Sequence, residues 1–189
     1  LVRGYEELAY CRQYLPECKM ITDQNVYTYN DRAQQFFAEA GGWANTVPIE
    51  LNRGEIMHRD NQRSEMIVYG YYPLMTSAQC VHKNTKACDK CPTITYLKDR
   101  YQAQFPVKNY CSACYNVVYN SLPVMLFSNI RELQKAGLRT FRLDFTMESE
   151  KMTGNVMNLL EEFLYEDRRQ YPEQWKEHYT NGHYKRGVE

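Results

Sequence analysis

A helix followed at once by a strand is predicted by the stretch Ser128-Asn-Ile-Arg-Glu-Leu-Gln-Lys-Ala-Gly-Leu-Arg-Thr-Phe-Arg-Leu-Asp-Phe145. Gly137 is placed to end the helix, and polar and apolar side chains alternate from Arg139 onward. A similar unit lies upstream, where residues 47–51 predict a strand and residues 53–58 the start of a short helix. Such alternation favours parallel βα units, which form either an open α/β sheet or part of a barrel.

Composition and length indicate one folded domain. The chain has 189 residues, 43% of them hydrophobic, which is enough for a buried core. Residues 148–168 predict the longest helix, and the polar, aromatic tail 171–189 is expected to wrap the body or to cross to a neighbouring chain. Basic and acidic residues balance at 23 each, so no global positive field attracts nucleic acid. No apolar stretch is long enough to span a membrane.

Five of the seven cysteines fall between residues 80 and 114. Two pairs have Cys-x-x-Cys spacing, Cys88-Asp-Lys-Cys91 and Cys111-Ser-Ala-Cys114, and the predicted hairpin at residues 96–108 separates them. Two such pairs about twenty residues apart let four thiolates converge on one ion. Cys80 then has two interpretations. Either it lies outside the metal site, or the ligands of the metal are not simply the four cysteines of the two pairs.

The cysteines are expected to be reduced. An odd cysteine count and the lack of a signal peptide favour a cytoplasmic protein over a disulfide framework. In a reducing cytoplasm, five clustered thiols predict a metal or iron–sulfur site.

Several motifs follow one another in a specific order. They are Asn25-Val-Tyr-Thr-Tyr-Asn30, Pro48-Ile-Glu-Leu-Asn52, Val68-Tyr-Gly-Tyr-Tyr-Pro-Leu-Met-Thr-Ser-Ala-Gln-Cys80, Tyr96-Leu-Lys-Asp-Arg100, Phe105-Pro-Val107, Cys114 before Tyr119-Asn-Ser121, Arg142-Leu-Asp-Phe145 and the ending Gly182-His-Tyr-Lys-Arg-Gly-Val-Glu189. In order and spacing they resemble the collagenase-like peptidase U32 family of bacterial proteins. The resemblance covers nearly the whole chain.

This resemblance implies an α/β fold that is a partial, half TIM-like barrel of βα units. Residues 1–189 would be the C-terminal part of the catalytic domain, with a cysteine-rich β-hairpin insert at 80–114 and a C-terminal tail at 171–189. The expected partners are the N-terminal half of the same parent protein and a second copy of this chain, which would cover unpaired strand edges. The parent protein would be an enzyme, whereas the chain alone is expected to be inactive.

The resemblance also implies a cofactor. Several members of the family are associated with hydroxylation of RNA bases or of ubiquinone precursors, in reactions that are independent of oxygen or dependent on prephenate. These members bind a [4Fe–4S] cluster through four cysteines. By that pattern the ligands are Cys80, Cys88, Cys91 and Cys114, with Cys111 as the alternative fourth ligand. RNA is then an expected partner.

Two other functions stay open. The family name implies a hydrolase, namely a metal-linked, collagenase-like peptidase. The sequence contains none of the motifs of the common hydrolases. A zinc-stapled structural or binding module is the second alternative, with Zn in place of the cluster.

Catalytic candidates lie near the ends of the predicted strands, because active sites of barrels form at the carboxyl face. Glu50, Asn52, Arg142 and Asp144 qualify. The alternation places Arg142 and Asp144 on one face of their strand. Arg142 is therefore expected either to clamp a carboxylate substrate or to fill a barrel interior with a salt bridge.

Overall fold

The structure is a computed structural model that describes residues 1–85, 88, 90 and 92–188. The elements in this part of the chain are α1 (Tyr5–Tyr14), β1 (Met20–Thr22), α2 (Asp31–Glu39), β2 (Gly42–Thr46), α3 (Arg53–His58), β3 (Ser64–Gly70), β4 (Pro73–Ser77), α4 (Val81–Thr85), β5 (Ile94–Lys98), β6 (Gln104–Tyr110), β7 (Tyr115–Tyr119), β8 (Val124–Met125), α5 (Ile130–Lys135), β9 (Thr140–Asp144) and α6 (Glu150–Tyr165). The predicted α/β class is confirmed at this level: the fold is mixed α/β, with parallel and antiparallel pairing.

The first sheet described by the structure contains four parallel strands, and their order across the sheet follows their order along the chain. β1 pairs with β2, β2 with β3, and β3 with β9. Val2 adds a parallel bridge at the outer edge of β1, where its N–H donates to the Ile21 carbonyl at 2.8 Å. The short strand β8 pairs antiparallel with the end of β3.

One predicted strand lies in the wrong place. Residues 47–51 were expected to be extended, but β2 begins at Gly42 and ends at Thr46. The Val47 N–H still donates to the Glu65 carbonyl at 2.8 Å, after which Pro48 has no N–H with which to continue the ladder. Glu50 therefore lies in a turn beyond the strand.

Helices α3, α5 and α6 contribute apolar side chains to the same buried core as strand β3. The buried core contains Val47, Leu51, Ile56, Met66, Val68, Tyr69, Phe127, Leu133, Leu138, Val156, Leu159 and Phe163, among others. The Ser149 hydroxyl caps α6 by accepting from the Met152 N–H. In the part of the chain that the structure describes, no helix combines the length and the apolar character needed to cross a bilayer.

The cysteine region forms a second, antiparallel sheet in the order β4-β7-β6-β5. The predicted hairpin is confirmed, with Ile94 paired to Lys108 and Lys98 to Gln104. Strands β4 and β7 extend the sheet beyond the predicted insert at 80–114 on both sides. The Lys108 amino group donates to the Thr146 carbonyl at 2.9 Å and so connects this sheet to the end of β9.

The tail packs against the body of the same chain. Tyr171, Trp175 and Tyr184 are buried in the main core, and Thr180 forms a parallel bridge with Val124. The Tyr184 hydroxyl donates to Glu132 of α5 at 2.8 Å. The tail was expected either to wrap the body of the chain or to cross to a neighbouring chain, and the structure shows that it wraps the body.

Candidate functional site

Cys80 lies in a short turn between β4 and α4. The Ser77 hydroxyl accepts the Gln79 N–H at 3.1 Å, and the Asn116 side chain of β7 donates to the Gln79 carbonyl at 2.8 Å. Asn116 is buried. The turn is therefore tied to the neighbouring strand, which fixes the backbone from which Cys80 projects.

Cys111 and Cys114 lie in the turn that joins β6 to β7. The Ala113 N–H donates to the Tyr110 carbonyl at 3.2 Å, and Cys114 adopts a left-handed conformation with a φ of 54°. The Cys114 thiol donates to the Cys111 carbonyl at 3.7 Å. A tight turn of this kind places the two sulfurs of a Cys-x-x-Cys pair on the same side.

Four cysteines that come from a turn, a loop and a hairpin line one cavity of about 300 Å³. They are Cys80, Cys88, Cys111 and Cys114, and the side chains of Lys83 and Lys90 line it too. Cys91, another of the expected ligands, lies outside the described residues. Within residues 1–85, 88, 90 and 92–188, no three Cys, His, Asp or Glu side chains are grouped closely enough to hold one ion as they stand.

Tyrosines line the inner side of this cavity. The rings of Tyr110 and Tyr115 stack with their centroids 4.7 Å apart, and the Tyr110 hydroxyl lies 3.1 Å from that of Tyr119. Burial, the hydrogen bond to Tyr110 and the charge of Asp144 all raise the pKa of Tyr119. The pair Tyr110–Tyr119 therefore extends from the cysteine cavity toward the carboxyl end of β9.

Arg142 forms two ion pairs on the sheet. Its guanidinium donates to Asp23 and to Glu65, each at 2.8 Å, and the Thr46 hydroxyl also donates to Glu65 at 2.8 Å. Burial would raise the pKa of Asp23, but hydrogen bonds from Arg142, the Gln24 N–H and Arg3 outweigh it and lower the pKa. The structure therefore shows Arg142 in salt bridges with Asp23 and Glu65.

The other catalytic candidates have different hydrogen-bond partners or surroundings. Glu50 accepts a hydrogen bond from the Tyr29 hydroxyl, and Asn52 caps α3 in a reciprocal capping box with Glu55. Asp144 is exposed at the end of β9. The pKa of Tyr72 is raised, mainly by burial. The negative charge of Asp144 also raises this pKa, and the positive charge of Arg142 lowers it in part.

Sequence reasoning missed Asp23, Glu65 and Tyr72. Glu65 had a signal, since it is the sole charged residue of the otherwise apolar strand β3. A charged side chain in a buried strand requires a partner of opposite charge. Asp23 had no comparable signal, because its contact with Arg142 spans 119 residues of chain.

Comparisons with protein-family models, with curated proteins and with solved structures find no match to this chain.

Proposed function

We propose that this chain carries an iron–sulfur centre, held by Cys80, Cys88 and Cys114 with Cys91 or Cys111 as the fourth ligand. The parent enzyme would use it in hydroxylating an RNA base or another aromatic acceptor. The observation that carries the proposal is the convergence of cysteines from a turn, a loop and a hairpin on one cavity. The resemblance to U32 proteins supplies the reaction class.

The size and charge of the cavity support a polynuclear group. About 300 Å³ is far more than the ~15 Å³ that a single water needs in a protein interior. Four thiolates bring four negative charges, and the residues Lys83 and Lys90 line the same cavity. Positive lysine side chains beside the cavity would offset part of that negative charge.

We further propose that the parallel sheet is part of a barrel wall. Two features support it. The order of the four parallel strands across the sheet follows their order along the chain, as in a (βα) barrel, although five described strands lie between β3 and β9. The Arg142 ion pairs also link the strand-end region of β1 to β3 and β9. In an open, doubly wound sheet the strand order would reverse. The remaining strands of such a barrel would come from the N-terminal half of the parent protein.

Serine variants of the anaerobically prepared protein test the ligand set. The unaltered chain should be brown, with the broad visible absorption of an iron–sulfur cluster, and Cys80→Ser, Cys88→Ser and Cys114→Ser should each abolish the colour. Cys18→Ser is the matched control, because Cys18 is exposed and remote in sequence, and it should stay brown. Comparing Cys91→Ser with Cys111→Ser then identifies the fourth ligand.

A zinc-stapled module is the second candidate. The tight Cys111–Cys114 turn, in which Cys114 is left-handed, has the residue spacing of a Cys-x-x-Cys zinc ligand pair. This alternative predicts a colourless protein that contains zinc. It also predicts that Cys80→Ser retains the metal, while serine at either Cys-x-x-Cys pair removes it.

A further inference from the structure

Two buried asparagines face each other across strands β6 and β7. Asn109 pairs with Asn116 in the antiparallel register, and both residues are almost fully buried. Residues directly opposite each other in such a pair project their side chains from the same face of the sheet. Asn109 lies two residues before Cys111, and Asn116 lies two residues after Cys114. This asparagine pair therefore brackets the turn that carries Cys111 and Cys114.

Asn116 holds the backbone of Cys80. Its Nδ2 donates to the Gln79 carbonyl at 2.8 Å and to the Ser77 carbonyl at 3.4 Å. The Gln79 carbonyl belongs to the planar peptide group that also contains the N and Cα atoms of Cys80, so a bond to this oxygen restrains both atoms. On the other side, the Cys80 carbonyl accepts the Asn84 N–H of α4 at 3.1 Å. Both peptide groups of Cys80 are therefore held by hydrogen bonds.

Asn109 holds the other end of the cysteine segment 78–93. Its Nδ2 donates to the Thr93 hydroxyl at 3.3 Å, and its N–H donates to the Thr93 carbonyl at 3.2 Å. Thr93 directly precedes β5 and lies two residues after Cys91 in the sequence. In the sheet order β4-β7-β6-β5, this segment leaves one edge strand and returns to the other, and the asparagine pair lies on the two central strands. One cross-strand pair therefore anchors both ends of the segment that carries three of the expected ligands.

Anchoring the segment in this way lowers the cost of binding a metal. Ordering a stretch of backbone costs conformational entropy, and a segment that is already ordered does not incur that cost when the metal binds. We infer that Asn109 and Asn116 are positioning residues of the metal site, which hold segment 78–93 beside the Cys111–Cys114 turn before metal binds, and that Asn116 acts through Cys80. The inference rests on the proposed metal centre.

Anaerobic titration of the reduced, metal-free chain with Co²⁺ tests this inference. Coordination of Co²⁺ by thiolates is seen directly in its absorption spectrum, and Co²⁺ needs no sulfide for binding. Asn116→Ala should weaken Co²⁺ binding at least about tenfold, the usual cost of removing a residue that orients a metal ligand. In the Cys80→Ser background the same substitution should change the affinity by less than about twofold, because Asn116 then has no ligand to position. Asn109→Ala should weaken binding in both backgrounds.

Asn61→Ala is the matched control. Asn61 is as buried as Asn116, and its Nδ2 likewise donates to backbone carbonyls, which are those of Ile56, Arg59 and Ala136, outside the antiparallel sheet. This variant should lose stability but keep the Co²⁺ affinity of the unaltered chain. It therefore distinguishes general destabilisation from loss of positioning.

The possible failures of the inference and of the metal centre are distinguishable. If the unaltered chain shows no thiolate absorption with Co²⁺, the metal centre is overturned and this inference with it. If the unaltered chain binds Co²⁺ and either alanine variant of the asparagine pair binds as tightly, or if Asn116→Ala weakens binding equally in both backgrounds, the inference alone is overturned.

A measurement on the unaltered chain decides the matter if a variant does not fold or if Cys80→Ser binds no Co²⁺. The side-chain amide protons of Asn116 should exchange slowly with water in the metal-free chain, because their hydrogen bonds form before metal binds. Exchange as fast as that of the exposed Asn158 would overturn the inference.

Discussion

The guanidinium of Arg142 compensates two carboxylates, those of Asp23 and Glu65, both of which are buried. Removing one partner of a buried ion pair leaves uncompensated charge, so Arg142→Met should lower the free energy of unfolding by about 3 to 5 kcal/mol. Urea denaturation at neutral pH measures this. Arg169→Met, at a side chain that is 71% exposed, is the control and should change stability by less than about 1 kcal/mol.

The same ion pairs predict a pH dependence. Because the pKa of Asp23 is lowered in the folded protein, its stabilising effect is present above the ordinary carboxyl pKa of about 4 and is lost as the pH falls through the lowered value. The stability difference between the unaltered chain and Arg142→Met should therefore shrink from about pH 6 to about pH 2. A difference that stays constant over this range would show that Arg142 acts through packing alone.

Two glycines in regular elements should respond to alanine in opposite directions. A Cβ at Gly70 of β3 would lie 2.9 Å from the Asp144 carbonyl oxygen and Cβ, and the φ of Gly70 is 153°. At Gly154, within α6, a Cβ would meet nothing within 4 Å. Gly70→Ala should destabilise the fold by about 2 kcal/mol, in the range of core overpacking, whereas Gly154→Ala should stabilise it by up to about 1 kcal/mol.

Thermal unfolding of the two alanine variants checks this contrast. If Gly70→Ala unfolds at the same temperature as the unaltered chain, then β3 and β9 are not in the close contact described here. If Gly154→Ala is destabilised, the exposed face of α6 must pack against something.

At the level of elements, the sequence predicted what local patterns determine. The helix and strand at residues 128–145, helix α3 and the β5–β6 hairpin were expected and are present. The prediction of a strand at residues 47–51 was wrong. The apolar residues there are buried in the turn that follows β2, and Pro48 has no N–H with which to extend the strand. The partners of Arg142 depend on the register between strands far apart in the chain, which no local pattern encodes.

For the whole molecule, the sheet edges decide whether the chain self-associates. Val2 covers the outer edge of β1, whereas β9 pairs with β3 alone in the part of the chain described. Unpaired strand edges recruit other strands, so we predict that the chain forms a dimer through β9 at high concentration. Light scattering coupled to size exclusion should give twice the 22.5 kDa chain mass. A particle of the chain mass at every concentration would refute the dimer.

Tyr110 lines the cysteine cavity, and its hydroxyl lies 3.1 Å from that of Tyr119. The proposed metal centre would therefore lie at the antiparallel sheet, which contains β6 and β7. Its role would then be to donate or accept electrons at a distance, or to hold the sheet together.

The central claim is that the cysteine cavity binds an iron–sulfur cluster. The most direct measurement is the iron, acid-labile sulfide and zinc content per chain of protein purified without oxygen. The account predicts iron and sulfide in equal amounts, in the ratio of a [4Fe–4S] cluster, and little zinc. Stoichiometric zinc, with neither iron nor sulfide in the same anaerobic preparation, would contradict it.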